Sequence, residues 1–293
     1  MSPGGPSSDR VVPTVLAWYR TNARDLPWRS AGRTPWGVLV SEVMLQQTPV
    51  DRVLPVWRAW MERWPAPAGL AAASPAEVIR AWGRLGYPRR ALRLRECAVA
   101  LGAGGRVPDS VAALRCLPGI GDYTAAAVAA FAYGVRTVVL DTNIARVLAR
   151  AVGGAALPSP GFRDERAAAA ALLPDAAPVS AAWNQAVMEL GALVCRSADP
   201  ACEMCPLRPV CAWYGAGRPP ADACRRPPAQ GYEGTDRQAR GRVLALLREH
   251  RPGVPRQDII AALPRAGQAG RAIDSLIADG LAVAAGGVVR LPE

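Results

Sequence analysis

The stretch Leu117–Arg146 constrains this chain more than any other. Leu117-Pro118-Gly119-Ile120-Gly121 reads as a turn bracketed by two glycines. An Ala-rich run follows and predicts a helix over Tyr123–Phe131. Then come an apolar run, Val138–Leu140, and a lone acid, Asp141, ahead of another helical pattern. Gly119 and Gly121 can adopt backbone angles closed to other residues and leave room for a close neighbour. The free N–H groups at the start of the next helix then suit a phosphate. An ordinary helix–turn–helix corner fits the same letters, so the turn alone leaves both readings open.

The rest of the chain is helical in pattern. Ala, Leu and Arg dominate, helical spacing recurs, and strand signals are nearly absent before the C-terminus. Helices are expected from Val11 to Tyr19, Trp36 to Gln47, Val53 to Trp64, Pro75 to Leu85, Arg89 to Ala103 and Ser110 to Arg115. Further ones follow at Ile144–Ala151, Phe162–Leu173 and Ala181–Leu193. Residues 1–9 read as disordered. The segment 216–235 holds paired prolines and reads as a linker, with Cys224 as an incidental thiol. Residues 236–293 predict three helices and a two-strand hairpin, Leu281–Ala284 with Val288–Leu291, which resembles a winged helix.

Charge narrows the partners. The 293 residues carry a formal net charge of +11, with the positive side from Arg, which suits a polyanion. One histidine, His250, disfavours His-rich zinc hydrolases and Ser-His-Asp chemistry. No signal peptide or membrane span is evident, so a cytoplasmic location is expected, where thiols stay reduced. Four of the seven cysteines, Cys195, Cys202, Cys205 and Cys211, follow the spacing C-x6-C-x2-C-x5-C. Zinc accepts four thiolates. A cubane iron–sulfur cluster tolerates looser spacing, and the single C-x2-C pair leans toward it. Arg196 and Arg208 flank these ligands and are available to phosphates. A purely structural staple fits equally well.

Two carboxylates stand out. Glu42 sits in Val38-Leu39-Val40-Ser41-Glu42-Val43-Met44-Leu45. Buried there, its pKa would rise and it could hold a proton near neutrality. Alternatively, Ser41 and Glu42 form a polar stripe open to water. Asp141 precedes a helix and suits an N-cap, which is compatible with a catalytic role. A protonated acid paired with an ionised carboxylate serves departure of a leaving group from a sugar carbon.

At this point the motifs resemble a family. LPGIG, DYT and VLDTN, from Leu117 to Asn143, are similar to the helix–hairpin–helix DNA glycosylases. The cysteine spacing is similar to their iron–sulfur branch. SEVMLQQT (Ser41–Thr48), RLGYPRRA (Arg84–Ala91) and NQAVMELGALVC (Asn184–Cys195) resemble the adenine DNA glycosylases of the MutY type. The resemblance spans about residues 11–215.

That resemblance implies an all-α fold of two helical lobes with DNA between them. One lobe is residues 23–133; the other joins residues 1–22 to 134–215 and carries a 4Fe-4S cluster on the four cysteines. It implies that Glu42 protonates adenine N7 and later activates water, that Asp141 stabilises the sugar cation across one cleft, and that Asn143 holds the constellation. Leu26, Trp28, Arg29 and Glu189 match positions lining the adenine pocket. Gln47 and Tyr87 match residues inserted into the base stack, and Leu117, Gly119 and Gly121 match a phosphate-binding turn. Tyr123 stands where bifunctional relatives carry a Schiff-base lysine, which implies a monofunctional, monomeric enzyme acting on duplex DNA with adenine opposite 8-oxoguanine or guanine.

Two departures are visible. Pro49 follows QQT where relatives have Gln. The C-terminal segment is too short for the nudix-like domain that reads 8-oxoguanine in relatives. Two other readings fit parts of the chain: a thymine-mismatch or oxidised-pyrimidine glycosylase of the same fold, and a non-catalytic iron–sulfur DNA-binding regulator. Glu42 argues against the first, since a pyrimidine has no N7, and the acid pair argues against the second.

Overall fold

Nearly every stretch with helical spacing is a helix in the computed structural model, which describes residues 8–102, 104–221 and 231–293. Two compact units emerge. The first comprises residues 1–38, 108–116 and 120–227; the second comprises 39–107, 117–119 and 228–293. Residues 1–7 and Cys224 lie outside the described residues, as does the rest of 222–230 within the linker segment. Ser8 and Asp9, expected to be disordered, are the first residues of a helix. Among the described residues no helix is long and apolar enough to cross a membrane.

The first unit is built around α1 (Ser8–Asn22), α8 (Asp122–Tyr133), α9 (Thr142–Ala151), α10 (Arg163–Ala171) and α11 (Ala177–Leu193). Their core holds Val11, Val15, Ala127, Ala130, Leu148, Val187 and Leu190. Eight consecutive residues of α8, Thr124–Phe131, are buried; five of them are alanines, whose methyl side chains let a helix be surrounded on all sides at close packing distance. The helix stops at Gly134, which takes a left-handed conformation (φ 71°). Val135 N–H then bonds the Ala129 carbonyl at 3.0 Å, an acceptor in the helix's last turns.

The apolar run Val138–Leu140 is irregular and joins no sheet. Asn184, buried in α11, takes the place of a neighbouring strand: its Nδ2 donates to the Thr137 carbonyl at 3.0 Å and its Oδ1 accepts from Val139 N–H at 3.4 Å. This fixes the approach to Asp141 while leaving few backbone groups unpaired.

The second unit contains α3 (Val50–Arg63), α4 (Pro67–Ala72), α5 (Pro75–Trp82) and α6 (Arg89–Ala100). Ser74 and Glu77 form a reciprocal capping box at the start of α5. Trp60 packs edge-on against Trp64 and Trp82, with ring centroids 4.9 and 5.6 Å away. Each buried indole N–H finds a carbonyl, Trp60 on Ala81 and Trp82 on Gly86, as a wet-tipped aromatic requires.

The C-terminal segment forms α13 (Asp236–Glu249), α14 (Arg256–Ala262) and α15 (Ala266–Ala278), following the short α12 (Ala212–Gly215) of the first unit. Its sheet has three strands rather than the expected two. β2 (Val283–Ala285) and β3 (Val288–Arg290) form the hairpin, and β1 (Val254–Pro255) pairs with the other edge of β3. Two residues ending in proline carry no alternation signal, which is why β1 was invisible in the sequence. This segment shares its apolar core with α5, through Ala76 and Ile79. Arg248 Nε donates to the Ile79 carbonyl, and Asp279 accepts from both Arg89 and Arg240.

Candidate active site and cysteine loop

Glu42 lies in the middle of α2 (Pro35–Leu45) and is 5% exposed, beside a fully buried Ser41. The reading of a solvent-facing polar stripe is therefore overturned. An apolar helix carries these two polar groups inward.

Asp141 is the N-cap of α9. Its Oδ1 accepts from Ile144 N–H at 2.7 Å, and its Oδ2 accepts from Asn143 Nδ2 at 2.7 Å. Burial of the carboxyl group pushes its pKa up, while the Ile144 and Asn143 donors pull it down; the net direction is up. Two donors aimed at the carboxylate, at the positive end of a helix, favour the ionised form that burial disfavours.

Asn143 is itself held. Arg146 Nη2 donates to its Oδ1 at 2.8 Å and to the Gly191 carbonyl at 2.7 Å. Arg146 Nε reaches the Cys195 carbonyl at 2.6 Å. Gly191, inside α11, lets that helix approach: a Cβ there would stand 2.7 Å from the Asn143 carbonyl oxygen. Sequence reasoning missed Arg146 and Gly191. A glycine inside a long apolar helix is the one local signal that pointed to a close approach.

Glu189 is fully buried and paired. Arg24 Nε and Nη2 bond its two oxygens at 2.7 and 2.8 Å, and Arg29 Nη2 adds a bond at 3.0 Å. Burial raises its pKa, but the arginines and the Arg24 N–H outweigh it and hold the carboxyl below the usual range. Leu26 and Trp28, both 4% exposed, sit on the same short segment as these arginines. Tyr123 opens α8 half-buried against the first unit's core. Arg24 was not expected at this site.

Gln47 and Tyr87 are both exposed, and both take left-handed backbone angles, with φ of 54° and 45°. Arg90 joins their two turns. Nη1 donates to the carbonyls of Val43, Met44 and Gln46, and Nη2 to Thr48 Oγ1 and the Gly86 carbonyl. Burial lowers its pKa to about 10, so it stays charged. Thr48 Oγ1 also reaches the Leu85 carbonyl at 3.2 Å.

Of the two turn glycines, only Gly119 is in the left-handed region (φ 77°), and a Cβ there would meet Arg93 Cβ at 2.8 Å. Gly121 has an ordinary φ of −91°, so backbone angle is not its reason. Open space surrounds its missing Cβ, which suits close approach by another molecule. Leu117 is half-buried on the same turn.

The four expected metal ligands line one cavity together with Arg150, Arg208, Trp213 and Tyr214. All four are free thiols. Burial pushes Cys205 up to about 11, and the nearby Cys195, Cys211 and Cys202 push it the same way. Arg150 stacks over Trp213 at 4.7 Å and donates to the Arg196 carbonyl and, at 3.5 Å, to Cys195 Sγ. Arg196 bonds Asp199, and Arg208 pairs with Glu203, so both flanking arginines have partners within the loop. Among the described residues no three such groups stand close enough to hold a single ion.

The helical architecture and this arrangement place the chain in a class of DNA repair enzymes: residues 40–167 match the sequence profile of the HhH-GPD superfamily base excision DNA repair proteins. A solved thermostable thymine-DNA glycosylase has the same fold, with a TM-score of 0.62 and 26% identity, over 71% of this chain and 97% of that one. Closer in sequence, an adenine DNA glycosylase of Mycolicibacterium smegmatis is 52% identical over 270 residues, covering 91% of this chain and 90% of that protein. An adenine DNA glycosylase of Mycobacterium tuberculosis is 50% identical over 275 residues, covering 91% and 88%. This chain belongs to the adenine DNA glycosylase family and is a DNA glycosylase of base excision repair.

Proposed function

We propose that the enzyme hydrolyses the N-glycosidic bond of adenine opposite 8-oxoguanine or guanine in duplex DNA, acting as a monomer without strand cleavage of its own. The observation that carries this is the burial of Glu42 in an apolar helix, which keeps a carboxyl group out of bulk water, as a general acid requires. Glu42 gives its proton to adenine N7, the C1′–N9 bond breaks, and neutral adenine leaves. Asp141, ionised and hydrogen-bonded by Ile144 and Asn143, stabilises the sugar cation. Glu42, now a carboxylate, takes a proton from water as the oxygen adds to C1′. The acid is restored and an abasic site remains.

The adenine must leave the stack to meet these groups. Gln47 and Tyr87 fill its place in the duplex. Leu26, Trp28, Arg29 and Glu189 line the pocket that receives it, and Leu117, Gly119 and Gly121 bind backbone phosphate. The monofunctional reading has support beyond Tyr123: the 293 residues contain no lysine, so no side-chain amine exists to form a Schiff base.

Cys195, Cys202, Cys205 and Cys211 would hold a 4Fe-4S cluster. They line one cavity, and four thiolates are the donor set that such a cluster takes. The cluster would supply a positively charged core that keeps the thiols ionised and the loop closed.

Duplexes with adenine opposite 8-oxoguanine, adenine opposite guanine, and thymine opposite guanine test the proposal. Free adenine should appear with the first two, and the strand should break only after alkali. Thymine release, or strand breaks without alkali, would contradict it.

A further inference from the structure

Tyr87 shares its ring with a residue from the far end of the chain. Arg237, in the first turn of α13, holds its guanidinium 4.8 Å from the Tyr87 ring centroid and 5.8 Å from that of Tyr232. Both rings are solvent-exposed, at 43% and 53%, and Arg237 is exposed between them. Five other arginines of the segment have acidic or carbonyl partners. Arg240 pairs with Asp279, Arg256 with Asp274, Arg271 with Asp236 and Arg290 with Glu293, while Arg248 bonds Ile79. Among the described residues Arg237 has no carboxylate in ion-pair range.

A guanidinium stacked on rings uses its face and keeps its edge. Five N–H donors in one plane match acceptors set side by side, either phosphate oxygens or the O6 and N7 of a purine. Exposed aromatic rings beside an uncompensated cation are the chemistry of nucleic-acid stacking surfaces. The arrangement is held in place, because the C-terminal segment shares its core with α5 and bonds α6 through Asp279 and Arg89.

We propose that Tyr87, Arg237 and Tyr232 form one DNA-contact site, through which the C-terminal segment grips the duplex beside the wedge. This rests on the proposed insertion of Tyr87 into the base stack. Arg237 supplies the donors, and the two tyrosine rings flank it.

The test uses the full chain and a duplex carrying 2′-fluoro-2′-deoxyadenosine opposite 8-oxoguanine or guanine, which binds without being cleaved. Arg237→Ala and Tyr232→Ala should each weaken binding about tenfold, with melting temperatures unchanged. Arg237→Lys, which keeps charge but not the planar fork, should fall between wild type and Arg237→Ala. If the acceptor is phosphate, the slope of log affinity against log salt drops by about one in Arg237→Ala and both duplexes suffer equally. If it is the base opposite adenine, the two duplexes suffer unequally at unchanged slope. Wild-type affinity, slope and discrimination in Arg237→Ala and Tyr232→Ala, alongside weakened binding by Tyr87→Ala, would overturn the inference and leave the wedge intact. Unchanged binding by Tyr87→Ala as well would overturn the wedge reading itself.

Discussion

Two arginines organise the two compact units, and they do it differently. Arg146 ties the cap of α9 to α11 and the cysteine loop, bonding Asn143, Gly191 and Cys195. Every backbone it touches is ordinary, and the surrounding core holds the same geometry. Arg90 ties two turns whose tips, Gln47 and Tyr87, sit in left-handed conformations. Such conformations cost about 1 kcal/mol or more each and persist only when neighbours enforce them. The first cluster therefore refines a position already set by packing, whereas the second creates one that packing alone would not keep.

The largest expected effect breaks the first cluster at its loop. Cys202→Ser should lose iron and sulfide by chemical analysis, lose visible absorbance, and bind DNA more weakly. Normal metal content would refute the ligand assignment. Next, Arg90→Leu should cost about 3–5 kcal/mol in denaturant unfolding, because several half-buried carbonyls lose a charged donor at once. The comparison predicts a larger loss there than for Arg146→Leu, and the reverse order would break it.

Gly191→Ala forces a methyl group against the Asn143 backbone. A cost of about 1–3 kcal/mol is expected by thermal melting, along with slower excision as Asn143 shifts. The smallest effect concerns protons. Asn143 pulls the Asp141 pKa down against burial, so Asn143→Ala should raise it further. Asp141 would then protonate at higher pH, and the acid limb of the single-turnover rate profile should move upward. A downward move would contradict the sign. Glu189 supplies the opposite case: its folded pKa is depressed, so its contribution to stability is present above its ordinary value of 4.5 and lost as pH falls through the lower folded value. Glu189→Gln should flatten melting temperature against pH in that acid range.

Most helices were legible because burial follows helical spacing, and α11 and α9 were read to within a few residues. α4 was missed because six residues make too little of a period to see. The burial of Glu42 was one of two readings open in the sequence, since an apolar neighbourhood in sequence does not say which face turns inward. Arg90 and Arg146 were illegible for another reason. Most of their acceptors are carbonyls 44 to 49 residues away, and any residue supplies a carbonyl, so no residue type marks the contact. Sharing of a core between the C-terminal segment and α5 was hidden likewise: Ala76 and Ile79 look like any buried helix face.

Single-turnover release of adenine from an adenine–8-oxoguanine duplex by Glu42→Gln, with binding to the uncleavable analogue measured alongside, separates proton donation from substrate binding. The account predicts a rate about 10²–10⁴-fold below wild type at near wild-type affinity, since the amide keeps the shape but has no proton to give. A rate within a few-fold of wild type would mean that Glu42 is not the acid.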